Sequence, residues 1–140
     1  MRAFTSARYT VHVGNHSYPM DKYRLVPARL LTEETLSPGQ LLEPEAATLD
    51  DILRVHTPEY AHAFINGTLE RKAMLRIGLP WSPELVQRAF AVIGGTIGAA
   101  HLALDEGVAA NLAGGTHHAF ADHGEGYCIF NDMVIAMRRL

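Results

Sequence analysis

The stretch from Ser82 to Gly115 constrains the fold of this chain more than any other. Ser82-Pro83-Glu84 is a helix start: a side-chain oxygen for the cap, a proline whose missing N–H is harmless in the first turn, and an acid beside the positive helix end. Gly107 is the matching stop. Leu85, Phe90, Val92, Ile93, Ile97, Leu102 and Leu104 lie between them, yet Gly94, Gly95 and Gly98 interrupt the run. An interior glycine costs about 1 kcal/mol relative to alanine. A helix that keeps three of them is expected to press its backbone against something flat, such as a sheet. Val108 to Ala113 then reads as a strand of small residues covered on both faces, and Gly114-Gly115 ends it. A long helix feeding a buried strand predicts an α/β architecture with a parallel sheet.

The rest of the chain fits one domain over residues 1–140. Hydrophobic residues make up 48% and charged residues 19%, a composition that excludes disorder. Twelve basic against fifteen acidic residues exclude a basic nucleic-acid clamp. A single cysteine excludes a disulfide framework. No apolar run approaches the roughly 20 residues of a membrane span, and Met1 to Tyr9 has no signal-peptide core. A cytoplasmic protein with no membrane partner is expected. Tyr9 to Val13 alternates and reads as the first strand. Tyr23 to Leu31 has helical spacing, with Pro27 either kinking or starting the helix. Ser37-Pro38-Gly39 is a turn, and Asp50 to Val55 a short element. Thr57-Pro58-Glu59 opens a helix ending near Asn66-Gly67. Met133 to Leu140 is a final apolar helix.

The chemistry concentrates between Gly114 and Asp132, where a loop leaves the carboxyl end of the proposed strand, the place where open α/β sheets bind ligands. His117 and His118 are adjacent, so on an extended chain they point opposite ways. The preceding glycines permit the bend that would aim both at one place. Two readings stand on spacing alone: the pair divides acid and base work, imidazole titrating near neutrality, or one is a surface residue and the other a hydrogen-bonded core histidine.

Gly114-Gly115-Thr116-His117-His118, followed by Gly126-Tyr127-Cys128-Ile129-Phe130-Asn131-Asp132, resembles the histone deacetylase family, with its bacterial acetoin-utilisation and acetylpolyamine amidohydrolase relatives. Pro19-Met20-Asp21-Lys22-Tyr23-Arg24 and Leu53-Arg54-Val55-His56-Thr57-Pro58-Glu59-Tyr60 support the match. The resemblance implies an arginase-like, three-layer α/β/α fold with a mostly parallel sheet, here incomplete, and zinc-dependent hydrolysis of acetyl-lysine or acetylpolyamine amides. It implies His118 as base and His117 as acid or electrostatic partner. Gly126 and Tyr127 match the wall of the substrate tunnel, and Arg24 the arginine of an internal acetate pocket. On residue type alone Arg24 is equally a surface ion-pair partner. The family's zinc ligands, an Asp-x-His pair and a later Asp, would follow Leu140, as would its transition-state tyrosine. No acid near Gly78-Leu79-Pro80-Trp81 matches the family's rim acid, and Ser17-Tyr18 separates His16 from Pro19.

Asp122, His123, Glu125 and Cys128 match no zinc spacing, so no metal ligands are assigned within the chain, and Cys128 is expected to be a buried small hydrophobe. His56 and Glu59 are expected to be structural, His62 and His101 ordinary helix residues. Trp81 is a rim residue or a loop anchor. Glu33-Glu34 and Glu70-Arg71-Lys72 are expected to be solvated faces. The reading is therefore the N-terminal part of a deacetylase domain, the competing one a non-catalytic deacetylase-like binding or assembly module. Either way a homo-oligomer or a further C-terminal portion is expected to cover the sheet edge.

Overall fold

Parallel strands cannot be joined by tight turns, and the long connections they need account for most of this chain. The computed structural model describes residues 1–140. Its sheet has three parallel strands, β1 (Arg2–Phe4), β2 (Leu41–Leu42) and β3 (Ala109–Asn111), in the order β2-β1-β3. Helix α1 (Lys22–Thr32) lies in the crossover from β1 to β2. Four helices separate β2 from β3: α2 (Leu49–Leu53), α3 (Pro58–Ile65), α4 (Arg71–Ile77) and α5 (Pro83–Glu106). Helix α6 (Asp132–Arg139) follows the long loop after β3.

Helix α5 keeps its three glycines for contact. A Cβ on Gly98 would lie 2.8 Å from the Phe4 ring of β1, and one on Gly95 2.1 Å from the Tyr9 hydroxyl and 2.7 Å from the Asn111 side chain of β3. The third departs from the sheet-packing expectation: a Cβ on Gly94 would lie 1.8 Å from the Glu45 carbonyl oxygen, in the segment after β2. The ends are as the sequence predicts. Ser82 Oγ accepts from Leu85 N–H at 3.1 Å, and Gly107 takes a left-handed φ of 82°. Thr57 caps α3 in the same way. By length and composition α5 can cross a membrane, contrary to the expectation that no run approaches that length. Here it is the core helix, with Leu85, Val92 and Ile93 almost wholly buried.

Other elements differ from expectation. The first strand is Arg2–Phe4, not Tyr9–Val13. Both sides of β1 are paired, so ladder hydrogen bonds override its weak sequence signal. Tyr9 ends a 3-10 turn capped by Ser6 and is fully buried, its hydroxyl donating to Asn111 Oδ1 at 2.8 Å. Strand β3 is shorter than Val108–Ala113; it is the outer of the three strands on one side and is half-buried. Helix α1 starts at Lys22, leaving Pro27 inside it. Glu70, Arg71 and Lys72 are exposed, the solvated face expected of them, but Arg71–Ile77 is a helix that turns Met74 and Ile77 inward and ends at Gly78, at φ 81°.

The core gathers Tyr9, Ile52, Phe64, Leu85, Ile93 and Ile135 around α5. Leu25 and Val26 on α1, Val108 beside β3, and Met133 and Met137 on α6 stay exposed. Val26 of α1 lies beside Asn111 and Leu112, and α6 packs on α5.

Candidate active site

The loop from Gly114 to Asn131 is held at both ends by buried polar side chains. At its start Gly114 and Gly115 have φ of 88° and 73°, and a Cβ on Gly114 would lie 2.3 Å from the Asp132 carboxylate. Asp132, the first residue of α6, is fully buried. A buried carboxylate is costly unless its lone pairs are filled. Here Gly115 N–H (3.1 Å), Thr116 N–H (2.7 Å), the Thr116 hydroxyl (2.6 Å) and the Thr96 hydroxyl surround it. Asn111 Nδ2 donates to Thr96 Oγ1 at 3.0 Å, and Asn111 Oδ1 accepts from Tyr9. The network thus ties the loop to β3, α5 and the N-terminal turn.

At the far end, His56 is 3% exposed and its Nε2 accepts the Asn131 N–H at 2.9 Å. Asn131 caps α6 through Val134 N–H at 3.2 Å. Burial lowers the His56 pKa, opposed by the nearby Phe120 and Ala121 carbonyls, although His56 Nδ1 makes no hydrogen bond. His56 is structural, as its sequence position suggested.

Between these clamps the chain presents His117 and His118, both exposed. Their ring centroids lie 4.2 Å apart with a 38° tilt, so the glycine turn does bring adjacent histidines to one place. His117 Nδ1 lies 2.9 Å from the Gly115 carbonyl oxygen. A carbonyl accepts only, so Nδ1 carries the hydrogen and Nε2 is left with the exchangeable position. No carboxylate pairs with either ring; Asp132 acts on the backbone beneath them. Cys128 is buried. Its thiol pKa is raised by burial and partly restored by the backbone N–H groups of His118 and His117.

Gly126 and Tyr127 form the neighbouring wall. A Cβ on Gly126 would lie 3.6 Å from the His118 ring. Tyr127 has φ 68°, a conformation that costs a non-glycine residue about 1–3 kcal/mol and persists only where its surroundings over-determine it. Here Tyr127 N–H donates to Ile77 O at 2.7 Å and Gly126 N–H to Arg76 O at 3.1 Å, so the end of α4 holds the strained turn. The Tyr127 ring meets Tyr18 at 4.8 Å and His16 at 6.0 Å. A small cavity of about 20 Å³ below it is lined by Arg88, Val92, Thr116, Tyr127 and Phe130 among others.

Arg24 is not brought to the histidines. It is exposed on α1 and makes no ion pair or hydrogen bond. The arginine that the fold buries is Arg88, 6% exposed. Its Nε donates to Tyr9 O at 2.8 Å and its guanidinium lies 4.7 Å from the Tyr23 ring centroid. Sequence reasoning missed Arg88, Thr96, Asn111 and Thr116; the one available signal was Asn131-Asp132 at a helix start. No three His, Cys, Asp or Glu side chains converge as a metal site, so these residues do not fit a zinc ion by themselves.

The chain matches the histone deacetylase domain family over residues 16–140. An uncharacterized protein of Picosynechococcus sp. is 47% identical over 89% of this chain and 42% of its own length. The acetoin utilization protein AcuC of Staphylococcus aureus is 28% identical over 95% of this chain and 36% of its own. Histone deacetylase 2 of Arabidopsis thaliana is 30% identical over 87% and 33%. Among solved structures, a histone deacetylase homolog from Aquifex aeolicus shares the fold with a TM-score of 0.80 at 20% identity, covering 99% of this chain and 40% of the other. The same holds for such a homolog complexed with SAHA. The chain therefore spans well under half the length of the relatives it matches.

Proposed function

The chain belongs to the histone deacetylase family, and from that membership we propose that it supplies the proton-handling half of a site that hydrolyses acetylated amines of the acetyl-lysine or acetylpolyamine type. The observation that carries this is the paired His117 and His118 rings beside Tyr127. Hydrolysis needs one proton taken from water and one given to the leaving nitrogen. His118, whose ring makes no hydrogen bond, takes the water proton as the oxygen adds to the amide carbon. His117, acting as the doubly protonated ring with its Nδ1–H on Gly115 O, gives the Nε2 proton to the amine as the C–N bond breaks, and the proton held by His118 replaces it. The products are a carboxylate and, once the acid's proton passes to the amine, an ammonium. Tyr127 flanks the alkyl chain that leads to the amide, and the Asp132 network keeps both rings at their stations. Zinc, which family membership suggests, would polarise the amide carbonyl; these residues converge on no site for it, and it enters none of the steps they perform. A cytoplasmic location goes with this reading.

The test is turnover of an acetyl-lysine peptide by the longest natural polypeptide that carries these residues. His118→Ala is expected to lower kcat by roughly 10²–10⁴-fold with little change in KM, since the group acts on the transition state. Near-normal turnover by this variant would remove the assignment.

A further inference from the structure

Tyr127 belongs to a second concavity as well. An open groove of about 650 Å³ is lined by His16, Arg71, Leu75, Trp81 and Tyr127, with Val13 and others completing it. No aspartate or glutamate lines it. Arg71 carries its one fixed charge, is exposed, and has no ion-pair partner, on a chain whose formal charge is −3. Asn15 and His16 are its neutral polar groups, and its exposed apolar surface comes from Leu75, 69% exposed, and Trp81, 38% exposed. Trp81 is held rigidly, because its indole N–H donates to Phe64 O at 2.7 Å and a Cβ on Gly67 would lie 2.8 Å from its ring. A fixed, half-exposed tryptophan offers contact area at little entropic cost. The groove shares Tyr127 with the candidate active site, and the neighbouring Gly126 lies against His118.

Resting on the proposed deacetylase reading, we propose that this groove is the subsite for the amine side of the substrate, and that it selects an acetyl-lysine peptide bearing an aromatic and an acidic residue next to the lysine, against an acetylated polyamine. A polyamine would bring further ammonium groups to a wall that holds an arginine and no acid. An aromatic side chain fits between Trp81 and Leu75, and a carboxylate complements Arg71.

Trp81 is the only tryptophan of the chain, so its fluorescence reads occupancy without any turnover. The 140-residue protein would be titrated with two acetyl-lysine peptides, one continuing Phe-Glu and one Phe-Lys, and with N-acetylspermidine. The Phe-Glu peptide is expected to bind roughly fivefold more tightly than the Phe-Lys peptide at low salt, in the range of an exposed ion pair, and N-acetylspermidine most weakly. Arg71→Glu is expected to reverse the order of the two peptides while far-UV circular dichroism stays unchanged. Equal affinities, tighter binding of N-acetylspermidine, no fluorescence response to any probe, or an unchanged order in Arg71→Glu would each overturn the proposal. The outcome is separable from the reading of the histidines. A His118→Ala chain that keeps the binding order preserves the groove whatever its turnover. Normal deacetylation without a charge preference sinks the groove alone.

Discussion

His56 never meets the tandem histidines, yet its protonation state bears on them. Its Nε2 must stay bare to accept the Asn131 N–H; a proton there would set donor against donor and release the start of α6. Burial lowers its folded pKa below the ordinary value near 6.5. The unfolded chain therefore binds more protons between the folded pKa and about 6.5. Stability contributed by neutral His56 is present above pH 6.5 and is lost as pH falls through that window, with a slope of at most ~1.4 kcal/mol per pH unit. Urea unfolding between pH 5 and 7.5 checks this: wild type is expected to weaken on acidification, and His56→Phe to lose that part of the slope. At this scale the site was half legible. His117, His118, Gly126 and Tyr127 stood out as residue types in a pattern. Asp132 and Thr96 did not, because a carboxylate that organises backbone amides leaves no mark of its own in a sequence. Arg24 and Arg88 cannot be told apart by type, only by which one the fold buries.

Helices with strong end chemistry were legible, and strands were not. Thr57-Pro58 and Ser82-Pro83 announced α3 and α5 to the residue, since caps act locally. Strand β1 is three residues long and is made by its two neighbours, which no local pattern encodes. Tyr9 to Val13 had the right alternation and no partner strand. The glycines of α5 allow a graded test of what the helix touches. Alanine at Gly94 would strike a carbonyl oxygen, at Gly95 a hydroxyl and an amide in the site network, and at Gly98 only the edge of the Phe4 ring. Overpacking costs about 1–3 kcal/mol, against a propensity gain of about 1 kcal/mol for alanine. The expected order of destabilisation is Gly94→Ala, then Gly95→Ala, then Gly98→Ala, the last close to neutral, read from denaturation midpoints. If Gly98→Ala were the most damaging, the ring would be less free to move than its position at the end of a short strand suggests.

For the molecule as a whole, β3 has one unpaired edge, and apolar side chains on α1 and α6 stay exposed. Unpaired strand edges template association, and contiguous apolar patches mark interfaces. The 140-residue chain is therefore expected to self-associate, with light scattering showing a mass that rises with concentration; a constant monomer mass across that range would remove the expectation. The same topology sets a timetable for synthesis. Arg2–Phe4 is made long before Ala109–Asn111 but sits in the middle of the three strands, paired with it. At about 5–20 residues per second, the nascent chain waits roughly 5–20 s before that partner is even made. Until then the central strand has only Leu41–Leu42 to pair with, and anything that captures its other edge early competes with the protein's own sheet.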